Sequence, residues 1–211
     1  MVNVSWNSFY GIIFLLSGMK KIILASGSPR RKTLFEQAEL SFEVIVSDTD
    51  ESFNEADSPS EIALSIALKK NRAVRALINQ ERSDSIVVSA DTIVVLDNEV
   101  IGKPTDRLDA ISILQQLSGK HHSVITAVCI SDHAKEYSFF DTTGVFFHIL
   151  SDEQIIHYVD QYKPYDKAGA YAIQEWIGVV GIQAIEGDFY NVMGLPISKV
   201  LTALKNEFFY G

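Results

Sequence analysis

Six residues, Ser26-Gly27-Ser28-Pro29-Arg30-Arg31, bring two hydroxyls, a glycine and two guanidinium groups to what reads as the start of a helix. A helix start leaves backbone N–H groups unpaired and carries partial positive charge, so hydroxyls and guanidiniums gathered there make a place for phosphate oxygens. Gly27 lets the backbone approach such a ligand closely, and Pro29 suits the first helical position. The same residues also read as an ordinary capped helix with two surface arginines. Arg30 and Arg31 lie about 100° apart around a helix, which would turn one towards a phosphate and leave the other to pair within the fold. The segment is not a Walker A loop, and Gly102-Lys103 lacks the upstream glycine and the following Ser or Thr of one.

Ser89-Ala90-Asp91-Thr92 closes an apolar run with a carboxylate and a hydroxyl. Open α/β folds bind ligands outside the carboxyl ends of their strands, which suits Asp91 to holding a metal or activating water; capping of the next turn is the plainer reading. Gly102-Lys103-Pro104 adds a cation between two backbone-restricting residues. In Asp166–Gln174 the small residues imply close packing, and the Gln174 amide offers the donor and acceptor that a nucleobase edge requires. Gly187–Pro196 reads as a loop entering the last helix, shaping the fold rather than doing chemistry.

Other chemistries are excluded. No Gly-x-Ser-x-Gly elbow is present, and the histidines at 121, 122, 133, 148 and 157 have no metal-ligand spacing. On a strand, His121 and His122 would face opposite sides. Cys129 is the sole cysteine, inside an apolar run, so there is no disulfide framework or cysteine zinc site, and a reducing cytoplasm fits. A formal charge of −9 argues against a nucleic-acid binder, yet a few local cations can still hold a small anion.

The elements that must carry these groups alternate in type. Apolar runs place strands at Ile22–Ala25, Phe42–Val46, Ile86–Ala90 and Ile93–Leu96, with a hairpin through Asp97-Asn98-Glu99 to Val100-Ile101. Longer β-rich segments follow at Ser123–Ser131 and Glu136–Ile149, and a strand at Val179–Ile185. Helices are expected after Pro29, after Ser58 with Ile62, Ile66, Ala73, Leu77 and Ile78 on one face, after Asp106, after Ser151 through Tyr162, and from Leu195-Pro196. The pattern predicts an α/β fold, a long mixed sheet with helices in two lobes around a central cleft. Residues 1–18 have a six-residue apolar stretch too short to span a bilayer and no preceding Lys or Arg. They are expected to be a non-native or disordered extension, with Met19 as the natural start and 19–211 as a single domain.

Taken together and in this order, Ser-x-Ser-Pro-Arg-Arg at 26–31, Ala-Asp-Thr at 90–92, Lys103-Pro104, Asp-Lys-Ala-Gly-Ala-Tyr at 166–171 with Ile173-Gln174, and Val-Met-Gly-Leu-Pro at 192–196 resemble the Maf family of nucleoside triphosphate pyrophosphatases. The resemblance implies a fold similar to that of inosine triphosphatase and hydrolysis of the α–β phosphoanhydride of a nucleotide with a divalent cation, Mg²⁺ or Mn²⁺. It assigns Asp91 and Glu51 to catalysis and the metal, and Ser26, Ser28, Arg30, Arg31, Lys70 and Lys103 to phosphate binding. Arg30, Thr92 and Gln174 fall on positions of substrate choice. Arg30 directly after Pro29 and the wording of 166–174 are similar to members acting on dTTP and UTP in nucleotide-pool house-cleaning; the alternatives are a 7-methyl-GTP pyrophosphatase and a low-turnover nucleotide-binding regulator of septum formation. The implied partner is a small-molecule nucleoside triphosphate, with no nucleic acid, no membrane, and room for a homodimer. One departure is Glu175-Trp176, where many relatives have glycine, which is expected to add charge and bulk near the base pocket.

Overall fold

The computed structural model describes residues 20–54, 56–78 and 82–209. The expected extension at 1–18 and the start at Met19 lie outside the described residues.

Strand β1 (Ile22–Leu24), wholly buried, runs through Ser26-Gly27-Ser28 into helix α1 (Pro29–Gln37), whose Pro29 sits in the first turn. Strand β2 (Phe42–Val44) lies parallel to β1. Helix α2 (Pro59–Leu77) opens on a capping box in which Ser58 and Glu61 exchange side-chain and backbone bonds. Strand β3 (Ile86–Leu96) turns through Asp97 and Asn98, both at positive φ, into β4 (Glu99–Ile101). Helix α3 (Arg107–Leu117), capped by Asp106, leads to the long hairpin of β5 (His121–Ser131) and β6 (Glu136–Phe147). Helix α4 (Asp152–Tyr162), a 3₁₀ turn (Ala168–Ala170), helix α5 (Trp176–Gly181), β7 (Ile182–Glu186), α6 (Phe189–Met193) and α7 (Ile197–Ala203) complete the chain, the last running on as a π-helical turn.

The strands form one mixed sheet in the order β2-β1-β3-β5-β6-β7. β1 pairs with β2 and β3 in parallel, and the remaining pairs are antiparallel. β3 organises the rest. One edge pairs without interruption with β5, from Val87 opposite Ser131 to Val95 opposite Ser123. The other edge is shared: β1 pairs Ile86–Val88 and β4 pairs Val94–Leu96, so Ser89–Ile93 has no strand partner on that side among the described residues. This opening in the sheet is where the strand-end loops arrive.

Side chains of β3 alternate between two cores. Ile86, Val88, Ala90, Val94 and Leu96 join a large cluster with Leu34, Phe35, Leu114, Tyr158 and Leu195. On the opposite face Ile93 packs with Ala63 and Ala67 of α2, together with Cys129, while Val87 packs with Val74 and Ile23. Helix α2 therefore covers one face and most of the other helices cover the second.

Four expectations change. Ile86–Leu96 is one strand, because its polar residues are satisfied without breaking the ladder; Ser89 Oγ, for one, donates to the Ala67 carbonyl at 2.7 Å. Val179–Ile185 is the end of α5 followed by β7, since the Gly178 N–H closes a turn on the Glu175 carbonyl at 2.9 Å. Leu77, in the last turn of α2, is 62% exposed, and Val74 takes the core position. The stretch Gly187–Pro196, expected as a loop, contains α6. Among the described residues no helix is long and apolar enough to cross a membrane.

Candidate active site

Asp91 and Thr92 follow each other on β3 beside the opening, and strand alternation turns them to opposite faces. Asp91 meets α2: Lys70 Nζ donates to its Oδ1 at 2.7 Å and lies 2.7 Å from Oε1 of Glu51. Lys103, which leaves β4 at the opening, stands 3.6 Å from Glu51 Oε2. One ammonium thus bridges two carboxylates with a second cation at their side. Partial burial works to raise the Glu51 carboxyl; the hydrogen bond and charge of Lys70, with Lys103 behind them, overcome it and hold Glu51 below its ordinary value.

Thr92 meets α1. Arg31 Nη2 donates to Thr92 Oγ1 at 2.9 Å, Nε to the Gly194 carbonyl at 2.8 Å and Nη1 to Ser26 Oγ at 3.2 Å. Arg31 is only 8% exposed, and among the described residues its partners are two hydroxyls and a carbonyl rather than a carboxylate. Burial lowers its pKa, and the negative charge of Asp91 partly opposes this. Its neighbour Arg30 points elsewhere: Nη1 donates to Asp166 Oδ2 at 2.9 Å. The two arginines therefore divide as the helical angle implies, Arg31 tying three loops together and Arg30 standing at the rim.

The start of α1 lacks a side-chain cap. Ser28 makes no capping bond, its own N–H donates to Ser26 Oγ at 3.3 Å, and no acidic residue occupies the first turn. The capped-helix reading of this segment does not hold, since the positive helix end has no side-chain cap among the described residues.

Ser26, Ser28, Arg30, Arg31, Glu51, Lys70, Asp91, Thr92, Lys103 and Gln174 all line one cavity of about 410 Å³. That size lies within the range of small-molecule sites. The 166–174 segment forms the far wall. Gly169, at φ +69°, donates its N–H to the Gly102 carbonyl at 3.1 Å, and a Cβ there would come within 2.9 Å of Val94, so glycine is required. Gln174 is exposed, lines the cavity, and its amide makes no hydrogen bond among the described residues. Behind the wall Tyr171 O–H shares a 2.8 Å bond with His122 Nε2. His122 is 2% exposed, and burial lowers its pKa to about 4.

Glu175 is not a cavity residue. Its carboxylate accepts from Tyr158 O–H and faces Lys167 Nζ at 3.6 Å, while Trp176 packs against the His157 ring. The charge and bulk expected at the base pocket are directed away from it. Sequence reasoning missed the Gly194 carbonyl and Tyr158. Backbone carbonyls leave no signature in sequence, and Tyr158 sits on an amphipathic helix as any core residue would.

Among the described residues no three His, Cys, Asp or Glu side chains converge as a protein-only metal cage. Asp91 and Glu51 are hard-oxygen donors held through one ammonium, and they fit a cation such as Mg²⁺ that completes its shell with water and phosphate oxygens.

The chain is similar in sequence to known proteins. The dTTP/UTP pyrophosphatase of Cytophaga hutchinsonii is 48% identical over 187 residues, covering 89% of this chain and 84% of that protein. That of Parabacteroides distasonis is 46% identical over 195 residues, 91% of this chain and 100% of its own. That of Bacillus cereus is 46% identical, covering 89% and 95% respectively. Among solved structures the Staphylococcus aureus Ham1 protein matches over 89% of this chain and 100% of its own at a TM-score of 0.48 and 17% identity, too loosely to carry an argument. Residues 21–207 match the family described as Maf-like protein, and the chain belongs to the Maf family.

Proposed function

We propose that the chain is a nucleoside triphosphate pyrophosphatase that hydrolyses dTTP and UTP to the monophosphate and pyrophosphate, clearing nucleotides from the cytoplasmic pool. The observation that carries this reading is one cavity lined by an uncapped helix start, by Arg30, Lys70 and Lys103, and by the carboxylates of Asp91 and Glu51. The relatives named dTTP/UTP pyrophosphatase support the choice of base.

In this reading the triphosphate lies along the opening in the sheet. Its phosphate oxygens meet the N–H groups at the start of α1, the Ser26 and Ser28 hydroxyls, Arg30 and Lys103. Asp91, deeper than Glu51, takes a proton from the water that attacks the α-phosphorus. The bond from the α-phosphorus to the bridging oxygen breaks, and pyrophosphate leaves with the electron pair, its charge met by Lys70, Lys103 and the helix end. Asp91 and Glu51 would hold a divalent cation, which supplies Lewis-acid stabilisation of the phosphate charge. Thr92, Arg30 and Gln174 face the nucleoside end, where the free Gln174 amide matches the donor and acceptor pair of a uracil or thymine edge.

The test is pyrophosphate release with Mg²⁺ from dTTP, UTP, CTP and 7-methyl-GTP. UTP and dTTP are expected to lead, and a dominant 7-methyl-GTP rate would overturn the assignment. Asp91→Asn should lose about 10²- to 10⁴-fold in kcat. A folded variant with full turnover would remove Asp91 from the role of base.

A further inference from the structure

The turn that presents Gln174 is held by a single phenol oxygen. Tyr158, on α4 and 0% exposed, accepts a hydrogen bond from the Ala172 N–H at 3.1 Å through its hydroxyl, which donates in turn to Glu175 Oε2. Within the turn the Glu175 N–H donates to the Ala172 carbonyl at 3.0 Å. Residues 172 and 175 are therefore fixed to each other and to one oxygen of the core, and Gln174 lies between them with its amide free.

Two further contacts stiffen the arrangement. Glu175 Oε1 faces Lys167 Nζ at 3.6 Å, and Lys167 lies 2.7 Å from Asp166 Oδ1, whose other oxygen accepts from Arg30. On the far side, a Cβ at Gly178 would fall 1.7 Å from the Ile173 carbonyl oxygen, so α5 starts hard against the turn. A side-chain amide can read a base edge only if its backbone is held to a fraction of an ångström. Gln174 is exposed and its amide has no hydrogen-bond partner among the described residues, so it depends on the backbone of the turn for its position.

We infer that Tyr158 and Glu175 are positioning residues for substrate choice: by clamping the Ala172–Glu175 turn they set the Gln174 amide at the height of the base. This rests on the proposed reading of Gln174. Neither Tyr158 nor Glu175 lines the cavity, so the clamp acts on the base through the residues it holds, Gln174 first among them.

The experiment is steady-state hydrolysis of UTP and CTP with Mg²⁺ by the full chain. The two nucleotides differ at the base edge and share their phosphates and ribose. Tyr158→Phe and Glu175→Ala are expected to lower the UTP/CTP ratio of kcat/KM by about tenfold, as loss of a bond to a charged group does. The loss should appear in KM for UTP, with kcat little changed. Glu175→Gln keeps an oxygen to accept from Tyr158 and should retain the wild-type ratio, a rescue that a merely structural role would not show. Glu175→Ala against Glu175→Gln decides the matter even where Tyr158→Phe does not fold. If Gln174→Ala loses the ratio while Tyr158→Phe and Glu175→Ala keep it, the clamp is overturned and the reading of Gln174 stands. If Gln174→Ala itself keeps the ratio, the reading of Gln174 fails and the clamp with it.

Discussion

On the α2 rim of the cavity Lys70 bridges Asp91 and Glu51, with Lys103 beyond; on the opposite rim Arg30, Asp166, Lys167 and Glu175 alternate in sign and end on the neutral Tyr158 phenol. Both rims carry two cations and two carboxylates. On the first all four side chains line the cavity, so an arriving phosphate or cation can exchange partners with every one of them. On the second Arg30, Asp166 and Lys167 also line the cavity, but the chain continues through Glu175 into the core, with each carboxylate set against the cation beside it. The same inventory is convergent on one side and linear on the other. A convergent cluster suits changing charge, whereas a linear one fixes position.

Lys70→Met tests the convergent rim and should have the largest effect. It leaves Asp91 and Glu51 without the cation between them, and kcat/KM should fall by roughly 10²- to 10³-fold, as for loss of one charge-stabilising donor. The Glu51 carboxyl, which Lys70 holds low, should then titrate higher, so the acid limb of the pH–kcat/KM profile moves up. A variant within threefold of wild type, with an unmoved acid limb, would make the two rims equivalent.

The packing behind the positioning wall gives the next effect. His122 has a folded pKa of about 4, below the ordinary 6.5, so the unfolded chain takes up the proton first. Stability falls as pH drops from 6.5 to 4, by up to roughly 3 kcal/mol at ~1.4 kcal/mol per pH unit. The part due to His122 is the difference between wild type and His122→Gln in denaturant melts across that window; parallel curves would show that the histidine does not report on this wall.

Arg30→Ala removes the only member of the linear chain assigned to the phosphates. Its bond to Asp166 is partly exposed and worth little to stability. KM should rise about tenfold with kcat nearly kept, the pattern of lost uniform binding. Leu77→Ser, exposed and remote from both rims, should change stability by less than about 0.5 kcal/mol in a thermal melt.

Much of this was legible in the sequence where a residue type has few alternatives. Pro29 announced the start of α1, Ser58 with Glu61 the start of α2, and the small residues at 168–170 the close packing onto Val94. That Arg30 and Arg31 take different partners follows from the angle of about 100° between them on a helix. The break expected between Ala90 and Ile93 was wrong because polar residues in a strand look like an interruption until their partners are known. Ser89, Asp91 and Thr92 find theirs on α2 and α1, far away in sequence. Val179–Ile185 failed for the converse reason: a β-branched run was bent by glycine packing that only the fold reveals. The clamp on Gln174 was out of reach, since it joins a core tyrosine on one helix to a carboxylate 17 residues on.

Cys129 sits at the centre of the sheet, fully buried against Ala63 and Ala67, and burial pushes its thiol up to about 12. Only the thiolate attacks an alkylating reagent, so the folded chain is inert at neutral pH. As the sole cysteine of the sequence it is a built-in gauge. Its rate of labelling counts the openings of the β3–β5 ladder, and a nucleotide seated at the gap should slow that clock in proportion to how firmly it closes the two halves of the edge together.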